Sequence, residues 1–282
     1  PSSLPPIGMI AAGGQLPLLE ARGIRAAGRR VACVGLSDQY DPALPDCCDH
    51  FARAGLVQLG KWIRLLRKWG AEEAVMVGKV QKTRIYDPLR LVRYMPDWRA
   101  ARVWLFKLRN NKQTDYALGV VAEELQSGGV TLIDTTRYIP DAMSQLGPMT
   151  RRKPTANQLA DIDFALPITQ RMGDLDIGQS VAVRDREIIA VEAIEGTDAM
   201  IQRAGTLCPA GRWTLVKLAK PNQDQRFDVP TVGPQTIEQL RASGGTCLAV
   251  QAGRVILVDK PQLLEAADQA GIAVIGIEPP AG

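Results

Sequence analysis

The sequence predicts an α/β protein of two domains, the first built on a parallel sheet and the second on a mixed sheet. Three observations predict it. An apolar run at residues 7–12 enters Gly13-Gly14 and then a helix-like pattern, the strand–turn–helix start of an α/β unit. Apolar runs and helical patterns alternate from there to residue 134. Beyond it, turn signals at 184–187 and 252–253 put hairpins among the helices, which suits a mixed sheet.

Residues 30–36 read as the second strand, which makes the opening Rossmann-like, and 37–49, with Pro42 and Pro45, as a loop. Residues 58–69 read as a helix with Leu59, Trp62, Ile63, Leu65 and Leu66 on its apolar side. Residues 73–78 form a strand ending in VMVGKV. From 79 to 112, Arg84, Arg90, Arg93, Arg99, Arg102, Lys107 and Arg109 interleave with Tyr86, Tyr94, Trp98, Trp104 and Phe106. That pattern suits first a helical pair with a buried stripe, and second a surface facing anionic lipid. Residues 114–126 read as a helix stopped by Gly128-Gly129, and 130–134 as a closing strand. Periodicity then lapses around Pro140, Gly147, Pro148 and Pro154. The domains are therefore expected at 1–138 and 156–282, with a linker at 139–155.

In the second domain, 157–172 reads as a helix and 174–180 as a turn. Residues 180–183 and 188–192 form one hairpin, and 247–250 and 255–258 a second about Ala252-Gly253. Helices follow from Thr197, at 236–243 and at 262–270, with strands at 213–218 and 272–277.

The chain has 282 residues, 46% hydrophobic, with net charge +4, five cysteines and one histidine. The charge permits an anionic partner without demanding one, and a nucleic acid is not expected. An odd cysteine count without a CxxC pair suits a reduced, cytoplasmic protein. The start PSSLPPIGMI lacks the basic region and apolar core of a signal peptide, and no apolar run is long enough to cross a bilayer. A single histidine, His50, excludes the histidine-rich zinc and dinuclear sites. It reads as structural, and a metal here is expected to be a hard ion such as magnesium.

The chemistry-bearing residues gather at 192–233. Glu192 and Glu195 end an apolar run, and Thr197 and Asp198 stand at a helix start. Lys217 and Lys220 follow a strand, then Gln223, Asp224 and Arg226 lie between Pro221 and Pro230. Carboxylates with lysines and amides at strand ends suit a phosphate and a hard cation, because burying unpaired charge in a core is costly. Asp224 is the first choice for an essential carboxylate, bound to metal or activating water. Glu195 and Asp198 complete an acidic set for magnesium, or simply cap the helix. Arg226 offers a bidentate fork, and Gln179 of DLDIGQ a polar contact or a turn. Gly13, Gly14 and Gln15 at the first turn, and Gly78-Lys79 after a later strand, are placed to meet a phosphate at the sheet's carboxyl edge.

EGTDAM and VKLAKPNQDQRFDVPTVG resemble the signature of UDP-2,3-diacylglucosamine pyrophosphatases of the LpxI type. AAGGQLP, GKWIRLLRKWG, VMVGKV and MGDLDIGQSVAV extend the likeness over most of the chain. The resemblance implies magnesium-dependent hydrolysis of UDP-2,3-diacylglucosamine to UMP and 2,3-diacylglucosamine 1-phosphate in lipid A synthesis. It implies substrate near Gly13-Gly14 and a role for the aspartate of KPNQDQRFD, which is Asp224. A lipid-linked UDP-sugar substrate further implies work at the cytoplasmic face of the inner membrane; a homodimer is left open. Two other readings stand beside it. A nucleotide-dependent oxidoreductase would suit the N-terminal turn, with Asp38 near the ribose position, but GxGxxG is missing. A non-catalytic nucleotide-sugar or lipid binder would suit the cationic segment.

Overall fold

The computed structural model describes residues 4–37, 39–80, 96–108, 114–220, 224, 226 and 229–278. Gln223, Asp38, Arg84, Tyr86, Arg90, Arg93, Tyr94 and Arg109, named above, lie outside the described residues. The chain divides into two compact units, Pro1–Pro140 with Asp224–Asp228, and Asp141–Gln223 with Val229–Gly282.

In the first unit, β1 (Ile7–Ala11), β2 (Val31–Leu36), β3 (His50–Ala54), β4 (Glu73–Val77) and β5 (Thr131–Leu132) form a parallel sheet in the order β3-β2-β1-β4-β5. This is the strand order of a Rossmann-like half, with the reversal beside β1. Every residue of β1 and β2 is buried, as expected of central strands covered on both faces. The helices are α1 (Leu16–Ala26), α2 (Leu59–Lys68), α3 (Trp98–Val103) and α4 (Thr114–Ser127), with the π-type turn Trp104–Leu108 continuing α3. Leu59, Trp62, Ile63 and Leu66 of α2 are buried, the i, i+3, i+4, i+7 stripe that its sequence carries. The Asp97 carboxylate caps α3, accepting from the Ala100 amide at 2.9 Å.

Strand β3 went unread in the sequence. It is a sheet edge with His50 and Arg53 in it, and only Ala54 is fully buried, so it shows no apolar run. His50 stacks on Trp69 with ring centroids 5.7 Å apart, a packing role.

The second unit holds β6 (Gly147–Pro148), β7 (Ser180–Arg184), β8 (Glu187–Val191), β9 (Trp213–Lys217), β10 (Thr231–Val232), β11 (Gly245–Gln251), β12 (Ile256–Leu257) and β13 (Ala273–Ile277). Six of these make a mixed sheet in the order β6-β13-β11-β9-β7-β8. β9, β11 and β13 are parallel, and β7 and β8 form the expected hairpin. Asp185 and Arg186 take φ of 53° and 59° at its tip, as a two-residue primed turn demands. The helices are α5 (Ala156–Asp174), α6 (Thr197–Leu207), α7 (Pro234–Ala242) and α8 (Lys260–Ala270). Thr155 and Gln158 start α5 with a reciprocal capping box.

The second expected hairpin does not form. β11 uses both edges on β9 and β13, so its ladder is full. After the turn at Gly253 the chain leaves that sheet, and Ile256 and Leu257 pair in parallel with Thr231 and Val232 of β10. Residues 141–155 of the expected linker lie within this unit, with β6 antiparallel to β13.

Candidate functional site

In the second unit three strand ends meet for topological reasons. β7 runs antiparallel to β9, so Ser180, which begins β7, lies opposite Lys217, which ends β9. β8 runs antiparallel to β7, so its exit into Glu192 returns to the same edge. The first residue of α6, Thr197, closes the group. Lys217 Nζ donates to Thr197 Oγ1 at 2.8 Å and to Ser180 Oγ at 3.3 Å, and lies 4.0 Å from Glu192 Oε2. Thr197 Oγ1 donates to Glu192 Oε1 at 2.8 Å. Lys217 and Glu192 are both buried. A carboxylate only accepts, so the hydroxyl proton of Thr197 is given to Glu192 and its lone pair to Lys217. In this arrangement Thr197 positions the lysine rather than offering its own proton to a ligand.

Two acceptors of this region are buried without a hydrogen-bond donor, Glu192 Oε2 and Gln179 Oε1. Buried acceptors left in this state are costly in a protein that has no use for them. α6 begins after Gly196, at φ 83°, with no side chain capping its first turn. Its leading amides and dipole therefore favour an anion.

The other expected residues take separate partners. Lys220 pairs with Asp176. Glu195 pairs with Arg203, and its own backbone amide together with that guanidinium holds its carboxyl below the usual range. Asp198 is exposed in the first turn of α6. Asp224 accepts both Nε and Nη2 of Arg226 as a fork, and also the Arg226 amide at 3.0 Å. The guanidinium keeps the Asp224 carboxyl below the usual aspartate range. Among the described residues no three acids or other metal-binding side chains gather round one point. The acids expected for magnesium are spoken for by arginine or stand apart. Among the described residues these acids do not form a preformed cage for that ion.

In the first unit, the glycine turn and Lys79 come together at the carboxyl edge of the parallel sheet. Lys79 N–H donates to Gly13 O at 2.8 Å, and Gly13 N–H to Lys79 O at 3.3 Å. Gly78 has φ 99°, and a Cβ there would lie 2.8 Å from the Ala12 carbonyl carbon, so only glycine fits. Gln15 stands at the N-cap of α1, its side chain donating to Asp41 at 3.4 Å, and no side chain caps the helix. Gly13, Gly14, Gln15, Gly78 and Lys79 thus share one edge, with Gly14 and Lys79 exposed.

Sequence reasoning ranked Glu192 low and passed over Ser180. Glu192 could have been found from its place at the end of a buried strand, where a charge needs a partner. Glu20 in α1 was also missed. It is fully buried, neither oxygen has a donor, and burial followed by the nearby Asp134 pushes its carboxyl up to about 8.

Comparison with known proteins places these features in one lineage. A family model described as the LpxI N-terminal domain matches residues 6–142, and one described as the LpxI C-terminal domain matches residues 145–275. The chain belongs to the LpxI family. A relative from Caulobacter vibrioides, named UDP-2,3-diacylglucosamine pyrophosphatase LpxI, is 33% identical over 97% of this chain and 98% of its own length. The LpxI N-terminal match contains the glycine turn, and the LpxI C-terminal match contains the Lys217 cluster.

Proposed function

We propose that this chain hydrolyses the pyrophosphate bond of UDP-2,3-diacylglucosamine, releasing UMP and 2,3-diacylglucosamine 1-phosphate (lipid X), a step of lipid A biosynthesis. The observation that carries the proposal is the near full-length likeness to the Caulobacter enzyme of that name. The buried Lys217 cluster supports it. Water attacks phosphorus, the bridging P–O bond breaks, and charge builds on the phosphate oxygens, so cations and amides must be waiting there. Lys217 and the first turn of α6 supply such a place in the second unit. Gly13, Gly14, Gln15, Gly78 and Lys79 supply backbone donors and a cation in the first. Lys220, Gln223 and Arg226 are proposed as further phosphate or sugar contacts, and Gln179 as an acceptor for a substrate hydroxyl or amide.

Asp224 is proposed as the essential carboxylate. Held low by Arg226, it is ionised at any working pH and a weak base. It therefore suits orienting water or balancing charge better than taking a proton outright. Asp224→Ala is expected to lower UMP release at least ~100-fold. Its thermal melt is expected to stay within a few degrees of wild type, because Asp224 is partly exposed. Full activity in the variant would remove Asp224 from the mechanism. Magnesium dependence belongs to the proposal as well. An ion carried by the substrate's own diphosphate oxygens needs few protein ligands. EDTA is expected to stop turnover; undiminished release in EDTA would take the metal out.

No helix among the described residues is long and apolar enough to cross a membrane. A peripheral position on the cytoplasmic face of the inner membrane is proposed from the first unit. Trp98 is 85% exposed and Phe106 82%, with Trp104 and Leu105 also exposed beside them. Tryptophan and phenylalanine so placed favour the headgroup zone. Trp98→Ser with Phe106→Ser is expected to reduce co-sedimentation with phosphatidylethanolamine–phosphatidylglycerol vesicles about tenfold. Unchanged sedimentation would place the contact elsewhere.

A further inference from the structure

Among the described residues, α1, α2, α4, α5 and α8 end in the same way, in a Schellman motif. The residue after the cap turns left-handed, its amide bonds back three residues, and the next amide bonds back five. α1, α2, α4 and α8 place Gly28, Gly70, Gly129 and Gly271 at the left-handed position. α5 places Asp176 there, at φ 55°. The Asp176 amide donates to Gly173 O at 3.1 Å and the Ile177 amide to Met172 O at 3.0 Å, so the motif is complete. A side chain at positive φ is crowded by its own backbone, which is why glycine is the usual choice. α5 thus keeps a carboxylate where glycine sits more easily.

That carboxylate has a use. It pairs with Nζ of Lys220. Stability does not account for the choice, because the Asp176 side chain is 57% exposed and ion pairs so exposed contribute little. The pair instead completes a set of ties on the chain leaving β9. The Leu218 amide donates to Gln179 O at 3.0 Å, and the Ala219 amide to Gln251 Oε1 at 3.0 Å. Lys220 comes next, and Asp176 fixes its side chain as those contacts fix the backbone before it. Asp224 follows four positions later in the sequence. A strained left-handed residue that aims a charge at the start of such a segment is the kind of outlier that function retains.

We propose that Asp176 is a positioning residue, which holds the Lys220 ammonium ready to receive a diphosphate. An untied lysine is a charge on a flexible stem, and it loses rotamer freedom when an anion binds. Tied beforehand, it has less to lose. An ammonium has three donors, so one can serve Asp176 while the others face phosphate. The inference rests on the pyrophosphatase reading for the diphosphate, and it adds a residue that acts through Lys220.

The test is UDP binding by titration calorimetry, with melting temperatures read on the same variants. Asp176→Gly is expected to weaken UDP about fivefold, the cost of ordering one long side chain. Its melting temperature is expected to hold or rise, because glycine relieves the left-handed residue. Asp176→Asn tolerates that conformation and keeps an oxygen for Lys220, so it is expected to restore most of the affinity. Adding Asp176→Gly to Lys220→Ala is expected to cost nothing beyond Lys220→Ala alone. Undiminished UDP affinity in Asp176→Gly overturns the proposal, as does a wild type that does not bind UDP. Additive losses in the double variant would put Asp176 on the ligand itself and also overturn it. Weaker binding together with lower melting would make Asp176 merely structural. UMP release from UDP-2,3-diacylglucosamine on the same samples reports the pyrophosphatase reading separately. A chain that binds UDP with this pattern and releases no UMP loses that reading and keeps Asp176 as the residue that positions Lys220.

Discussion

Lys217→Met is expected to lower UMP release by at least ~1000-fold and to lower stability by about 3 kcal/mol. Both effects come from one position. Lys217 lies at the end of β9 with its side chain buried, and its ammonium holds the hydroxyls of Ser180 and Thr197 beside the Glu192 carboxylate. Methionine fills similar volume but leaves that carboxylate buried without a balancing cation, and this is the source of the stability loss. A paired change separates the two effects. Lys217→Met with Glu192→Gln removes both charges, so stability is expected to recover by ~1–2 kcal/mol while turnover stays lost. Recovery of turnover in the double variant would mean that Lys217 serves only to neutralise Glu192. Urea melts and UMP release on the same preparations read both.

A second large effect is expected at Glu20, in α1. Its carboxyl is fully buried, both oxygens lack donors, and burial with the nearby Asp134 raises it from 4.5 to about 8. Below pH 4.5 the group is protonated folded and unfolded, and it costs nothing electrostatically. As pH rises from 4.5 to about 8, the unfolded chain gives up this proton and the folded chain keeps it. Stability falls through that window and levels off above it. At ~1.4 kcal/mol per tenfold in proton affinity, the full loss is on the order of a few kcal/mol. Glu20→Gln is expected to flatten this fall, and Glu20→Met to raise stability at pH 8 outright. Melting temperatures from pH 5 to 8.5 measure it. Parallel pH profiles for wild type and Glu20→Gln would show that Glu20 is not the group responsible.

Much of the fold was legible because its signals are local. The Gly13-Gly14 turn, the α2 stripe and the primed turn at Asp185-Arg186 each specify their element within a few residues. β3 was invisible because an edge strand with His50 and Arg53 has no buried face to enforce alternation. The false hairpin at 247–258 shows a different limit. Two apolar runs about a glycine read as a hairpin, but β11 already had parallel partners on both sides, and those come from distant parts of the chain.

The site was legible as a collection of residues and not as a set of partnerships. Lys217 and Thr197 were named, and they do meet. Their link through Glu192 and Ser180 depends on three strand directions, which no local pattern states. Asp224 is expected to bind metal or activate water and Glu195 to bind metal or cap a helix, and in the structure they pair with Arg226 and Arg203. Nothing in EGTDAM or KPNQDQRFD states that each carboxylate has an arginine within reach.

Mass spectrometry of a single incubation reaches the centre of the account. Purified chain, magnesium and UDP-2,3-diacylglucosamine are expected to yield UMP and 2,3-diacylglucosamine 1-phosphate in equal amounts, with one oxygen of labelled water appearing in one of the two. Intact nucleotide sugar after prolonged incubation, or cleavage at the glycosidic bond to give UDP, would contradict it.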